Sequence, residues 1–204
     1  MRSEAARVKE LYERHALQWD QDRGRDLFER PWLDRFLSFV QPGESVLDVG
    51  CGSADPIARL FIERGYNVTG VDSSPSLIEI CKRRFPQQSW VVADMRELHL
   101  NSRFNAIIAW NSFFHLCPDD QRRMFSLFRE HCSPNAVLMF TSGPGAGEVV
   151  GEYRGEALYH GSLDPGEYRE LLEDNGFTVL ANAQEDPTCG HHTIWLAQLR
   201  LSSQ

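Results

Sequence analysis

VLDVGCGSADP, Val46 to Pro56, is the stretch whose reading decides the fold. An apolar run of strand type ends in Asp48 and then crosses a Gly-x-Gly turn at Gly50 and Gly52. Helix-starting residues follow at once: Ser53 or Asp55 can cap, and Pro56 suits a first helical position. Without a Cβ, Gly50 and Gly52 can take positive φ and let a ligand lie against bare backbone. The helix beyond offers unpaired N–H groups and the positive end of its dipole. Strand, glycine turn and helix in that order make a nucleotide-type site. Asp48 stands at the strand's carboxyl end, where open α/β sheets bind ligands. Further on, NVTGVDSSP, Asn67 to Pro75, reads as a second strand ending in Asp72. That residue lies about the distance downstream expected of a ribose-binding carboxylate.

The chain around this stretch has 204 residues, 42% of them hydrophobic, enough for one well-buried domain. A net charge of -8 and a pI near 5.4 argue against a nucleic-acid binder, which would show a basic face. Lys82 to Arg84 is the one basic run and reads as a solvated helix face. The five cysteines (Cys51, Cys81, Cys117, Cys132, Cys189) form no C-x-x-C pair, and most read as small buried hydrophobes. MRSEAARVKELYERH is charged and helical rather than of signal-peptide type, and no run is long enough to cross a membrane. A cytoplasmic protein is expected.

A helix is expected from Ser3 to Asp22, with Val8, Leu11, Tyr12, His15 and Trp19 at helical spacing, and another from Pro31 to Val40. The middle then alternates. Strands are expected at 45–49, 67–71, 90–93, 104–110 and 136–141, and helices at 56–64, 75–85 and 118–131, which implies a parallel sheet. Ser142 to Gly161 carries six glycines and no clean period, long for a plain connection and suited to a lid with a hairpin inside it. Asp164 caps and Pro165 starts a further helix, with Glu167 completing a capping-box-like arrangement and Gly176 ending it. Two closing strands, 177–183 and 193–199, are too close in sequence to pair other than antiparallel.

With these elements in place, the chain from about Leu11 to Leu199 resembles the class I S-adenosylmethionine-dependent methyltransferases. VLDVGCGSA looks like the family's first motif, GVDSSP its second, VVADM its third and IIAWNSFFHL its fourth. One departure is Ala54, where a third glycine is often found. The resemblance implies a doubly wound, seven-stranded, mostly parallel α/β sheet with a reversed C-terminal β-hairpin and N-terminal helices as a lid. It also implies one domain over 1–204: a helical lid (1–43), a cofactor core (44–141), a substrate and lid insertion (142–163) and a closing helix and hairpin (164–204).

Carried onto this sequence, the resemblance implies S-adenosyl-L-methionine as cofactor. Asp48, Gly50, Cys51 and Gly52 would hold its amino-acid end, and Asp72 both ribose hydroxyls. Asp94 would take the adenine amino group, Ser73 and Met95 would flank the ring, and Asn111 would sit near the transferring methyl. Methyl transfer needs alignment and a dry pocket, and a base only if the acceptor must lose a proton. His115 is the candidate base, following the fourth strand and able to titrate near neutral pH, with His160 and His192 as alternatives. The bland reading of His115 is a cap for the following helix. Trp19, Trp110, Phe114 and Tyr159 would wall the acceptor site, with Tyr12, Tyr153 and His160 also against the substrate.

The partner implied is a small-molecule methyl acceptor, with no nucleic acid or membrane, on a monomer or weak homodimer. A dehydrogenase using NAD also fits Gly50, Gly52 and Asp72, but its nucleotide strand would come first in the chain. A non-enzymatic binder of S-adenosylmethionine or S-adenosylhomocysteine is the third reading. Cys189, His191 and His192 cluster near a turn and His115 lies near Cys117, but neither spacing makes a structural zinc site, so no metal is expected.

Overall fold

The computed structural model describes residues 2–200. Its element order is α1 (Arg2–Arg14), α2 (Ala16–Asp22), α3 (Arg30–Leu37), β1 (Ser45–Val49), α4 (Ile57–Glu63), β2 (Asn67–Asp72), α5 (Pro75–Arg84), β3 (Ser89–Val92), β4 (Phe104–Ala109), α6 (Pro118–Glu130), β5 (Cys132–Ser142), β6 (Gly147–Tyr153), β7 (Glu156–Ser162), α7 (Pro165–Asp174), β8 (Phe177–Asp186) and β9 (His192–Leu199). Short 3-10 turns cover Met95–Glu97 and Phe113–His115.

Seven strands form one sheet in the order β3-β2-β1-β4-β5-β9-β8. All neighbours pair in parallel except β9, which runs antiparallel to both β5 and β8. The expected mostly parallel sheet and reversed hairpin are therefore present. Strand order reverses between β1 and β4, so a crevice opens at the carboxyl ends of these two strands. Strands β1 and β4 are near-continuous apolar runs because both sheet faces are covered. Val46, Ala106 and Ile108 pack with Leu33, Phe36 and Phe61 of α3 and α4. Leu47, Val49, Ile107 and Ala109 point the other way, against Met124, Phe125 and Phe128 of α6 and Tyr168 and Leu172 of α7.

Several boundaries differ from the sequence reading, each for a local reason. The N-terminal helix breaks at His15, whose backbone leaves the helical region, and α2 starts afresh at Ala16. Neither Ser53 nor Asp55 caps α4; Pro56 occupies the cap position, and Asp55 faces Arg59 at 2.9 Å instead. Asp164 does cap α7, accepting from Gly166 N at 2.7 Å, whereas Glu167 pairs with Arg122. The hairpin expected within the glycine-rich segment is the separate two-stranded sheet β6–β7. No helix among the described residues is long and apolar enough to cross a membrane.

Candidate active site

The site grows from the carboxyl edge of the sheet. Gly50 N and Cys51 N both donate to Val71 O, at 2.8 and 3.0 Å, which ties the turn after β1 to the end of β2. Gly50, Gly52 and Ala54 all take positive φ (77°, 55° and 66°), so Ala54 adopts the left-handed conformation that a third glycine would serve. Asp72 closes the turn from the other side. Its Oδ2 accepts from Gly52 N at 3.0 Å and its Oδ1 from Ser74 N at 2.9 Å. Ser74 in turn caps α5 through Leu77 N.

Asp48 is buried beneath the same turn and forms no ion pair among the described residues. Burial raises its carboxyl to about 7, and the neighbouring charge of Asp72 adds to the rise. Burial likewise raises Asp72 to about 6, against backbone hydrogen bonds from Ser74, Gly52 and Ser73 that pull it down. Two carboxylates held this close without a cation favour a ligand that brings positive charge to one and hydroxyl donors to the other.

Two cavities meet at this turn. The first, open to solvent, is lined by Gly50, Gly52, Asp72, Ser73, Asp94, Met95, Asn111 and His115, and is roofed by Ala5, Ala6, Lys9 and Tyr12 of α1. The second contains Asp48, Cys51, Trp110, Asp22, Arg23 and Tyr153. Trp19, Gly50, Gly52 and Asn111 line both, so the two are one continuous crevice with Trp19 at its waist. All the residues assigned above to the cofactor are brought together here. Asn111 is fixed by Thr141, whose Oγ1 accepts from Asn111 N at 2.8 Å and donates to Asn111 Oδ1 at 3.2 Å. Asp94 faces the first cavity but is also engaged by Arg96, whose Nε and Nη2 donate to it at 2.9 and 2.6 Å. Those bonds hold its carboxyl below the usual carboxylate range.

The aromatic candidates divide. Tyr12 packs edge-on to Trp19 at 5.1 Å and stacks with Tyr153 at 6.4 Å, forming a cluster over the waist. Trp110 lies at the second cavity with its ring stacked on His192. Phe114 and His160 line a third, apolar recess beside the β6–β7 hairpin, behind His115. Tyr159 is fully buried and reaches none of the three cavities, since its ring packs beneath Gly161 and β7.

His115 does not cap α6, whose cap residue is Cys117. Its Nδ1 lies 2.8 Å from the carbonyl of Tyr159 and therefore carries the proton. Its Nε2 then accepts from the Tyr12 hydroxyl at 3.0 Å. Burial pushes the ring down to about 4, so His115 does not titrate near neutral pH as the sequence alone suggests.

Sequence reasoning missed several residues of the crevice. Glu13 of α1 accepts from Ser74 Oγ at 2.5 Å and Ser76 Oγ at 2.7 Å, tying the roof to the start of α5. Arg84 grips both oxygens of Asp20 at 2.5 Å. Arg14 and His15 pair with Glu156, and Arg154 and Tyr153 with Asp22, which clasps the roof to the hairpin. A charged side chain in an amphipathic helix carries no mark of its distant partner, so no local signal could have found these pairs.

Comparison with known proteins agrees with this fold. Residues 46–135 match the family model of a methyltransferase domain. A magnesium-protoporphyrin O-methyltransferase of Rhodobacter capsulatus is 32% identical over 59% of this chain and 54% of its own length. A trans-aconitate 2-methyltransferase of Azoarcus sp. is 33% identical over 56% of this chain and 42% of its own. The chain spans about half the length of the curated relatives it matches. Among solved structures, the 1,6-didemethyltoxoflavin-N1-methyltransferase of Burkholderia thailandensis, bound to its substrate and S-adenosylhomocysteine, superposes with a TM-score of 0.75 at 20% identity, covering 97% of this chain and 89% of that one. The fold, with the matched motif segment at its centre, is that of the class I S-adenosylmethionine-dependent methyltransferases.

Proposed function

We propose that the protein binds S-adenosylmethionine in the crevice and transfers its methyl group to a small-molecule acceptor. The observation that carries this reading is the pair of carboxylates Asp48 and Asp72 flanking the bare Gly50–Gly52 backbone. A Cβ at Gly50 would strike Ser112, so the cradle is shaped for a ligand against backbone. Asp48 suits the ammonium and Asp72 the ribose hydroxyls, with Ser73, Met95 and Asp94 around the adenine and Asn111 beside the methionine. When bound, S-adenosylmethionine supplies an electrophilic methyl on a sulfonium. The dehydrogenase alternative is disfavoured by the antiparallel β9 and by Asp55 where the third glycine of a G-x-G-x-x-G turn would stand.

The chain's own part in the chemistry is alignment and exclusion of water. Tyr12, Trp19 and Tyr153 cover the waist of the crevice. Because Tyr12 donates its proton to His115 Nε2, its oxygen lone pairs are left to meet a donor hydrogen on the acceptor. A proton that becomes acidic as the new bond forms can pass to Tyr12 while the Tyr12 proton passes to His115. A screen of small molecules with methyl-labelled S-adenosylmethionine tests the activity. With an acceptor in hand, His115→Ala and Tyr12→Phe should each cut turnover by about 10²-fold, the low end for a general base. The double variant should lose no more than either alone, because the two act as one unit. Turnover within about threefold of the parent in both would show that alignment suffices.

The raised carboxyls give cofactor binding a pH dependence. An ammonium needs Asp48 ionised, so affinity for S-adenosylhomocysteine should rise as pH climbs through about 6 and about 7, with protons released on binding. In the ligand-free protein both groups titrate higher than in the unfolded chain. Their contribution to stability is therefore full below the unfolded value of about 4 and is lost as pH rises through the folded ones. The increase in Tm on adding S-adenosylhomocysteine should accordingly be larger at pH 8 than at pH 5.5, by thermal denaturation. An equal increase at both values would remove the ammonium from Asp48.

A further inference from the structure

The glycine turn carries a thiol that methyl transfer does not need. Cys51, between Gly50 and Gly52, donates from Sγ to the Gly52 carbonyl at 3.8 Å. Cys81 of α5 donates from its own Sγ to the same oxygen at 3.2 Å. The two thiols are also hydrogen-bond and charge neighbours of one another. Gly52 is thus held at both ends: its carbonyl by two S–H groups, its N–H by Asp72 Oδ2 at 3.0 Å. Cys81 is fully buried, whereas Cys51 is half-buried and lines the second cavity, within reach of a small solute.

We propose that Cys51 and Cys81 form a redox modification site whose disulfide disables the cofactor turn, a proposal that rests on the reading of that turn as an S-adenosylmethionine site. The oxidant is hydrogen peroxide or a related hydroperoxide. Cys51 sulfur attacks the peroxide oxygen, the O–O bond breaks, and Cys51 sulfenic acid and one water result. Cys81 sulfur then displaces the sulfenic hydroxyl, which leaves as a second water with the Cys81 proton, and the disulfide forms. Two thiols are oxidised by two electrons and one peroxide is reduced to two waters.

The consequence follows from hydrogen bonding. A disulfide has no S–H, so the Gly52 carbonyl loses both donors at once and becomes a half-buried acceptor without a partner. Drawing Cys51 toward α5 also moves Gly52 N, which pins the ribose carboxylate Asp72. Displacement of about 1 Å at such a cradle is enough to spoil ligand alignment. Burial pushes the Cys51 thiol up, so its thiolate is scarce, attack on peroxide is slow and needs the oxidant in excess, and the pair stays reduced under dissolved oxygen. A ligand lying on the turn covers Cys51, so cofactor and disulfide exclude one another.

The test uses the full chain, reduced and then treated with hydrogen peroxide with or without S-adenosylhomocysteine. Intact mass should show loss of two hydrogens, and peptide mapping a Cys51–Cys81 link. Calorimetry should show S-adenosylhomocysteine affinity at least about tenfold weaker after oxidation, and restored by dithiothreitol. S-adenosylhomocysteine present during oxidation should suppress the link. Cys81→Ser keeps an O–H donor for Gly52 and removes the resolving thiol, so after peroxide its peptide map should show no link and a Cys51 sulfenic acid that dimedone traps; Cys81→Ala gives the same mass readout if the serine variant does not fold. Oxidation that stops at Cys51 sulfinic acid, or a link that leaves affinity unchanged, overturns the proposal. If the reduced protein itself fails to bind S-adenosylhomocysteine, the cofactor reading and its coupling to the thiols fall, while the mass and the peptide map still decide whether the thiols pair.

Discussion

Replacing Gly50 by valine is expected to abolish binding of S-adenosylhomocysteine. Gly50 has a φ of 77°, which β-branched side chains resist at a cost of about 1–3 kcal/mol. Space makes it worse. A Cβ at this position would lie 2.2 Å from Ser112 Cβ and 2.7 Å from Ser112 Oγ. Ser112 is not free to retreat, because its hydroxyl donates to Val49 O at 2.6 Å and satisfies the last carbonyl of the central strand. A contact that close cannot be accommodated without shifting the turn. Gly145 is the matched control, since a Cβ there meets nothing within 4 Å and Gly145→Ala should bind as the parent does. Calorimetry with a folded Gly50→Val protein decides the point: affinity within about threefold of the parent would mean the ligand does not lie on this backbone.

Asp72→Ala should weaken the same ligand by about 3 kcal/mol or more, roughly a hundredfold and upward. Two losses combine. The proposed charge-assisted bonds to two ribose hydroxyls vanish, and Gly52 N and Ser74 N lose their acceptor, so the cradle itself loosens. Asp72→Asn separates them, because one amide oxygen can still accept from the backbone while the charge is gone. It should fall between the alanine variant and the parent. Removing the Asp72 charge also lets Asp48 ionise at lower pH, so the pH midpoint of binding in Asp72→Asn should move down. Unchanged affinity in the folded alanine variant would refute the ribose assignment.

Much of this architecture is legible in the chain itself, and the reason is local. Val46 to Pro56 carries strand, turn and helix signals in eleven consecutive residues, and the Asp72 strand repeats part of the pattern. Two short strands separated by Gly190 could only pair antiparallel, and β8 and β9 do. What the sequence hides is long-range. At the break His15 meets Glu156, 141 residues away, while Glu13 reaches Ser74 and Ser76. Tyr159, expected in the wall of the acceptor site, lies in a glycine-rich segment with no clean period to show which way its ring faces. It faces inward because alternation along β7 sends its ring to the buried side. His115 kept its position near the crevice but not its expected titration, since nothing in the sequence tells how completely the Tyr12 roof and the hairpin enclose it.

The central claim is that the Gly50–Gly52 turn with Asp48 and Asp72 holds S-adenosylmethionine. One calorimetric comparison at pH 8 tests it most directly, titrating the protein with S-adenosylmethionine, S-adenosylhomocysteine and NAD. The account predicts saturable binding of the first two with one site per chain and no measurable heat from NAD. Binding of NAD, or of none of the three, would contradict it.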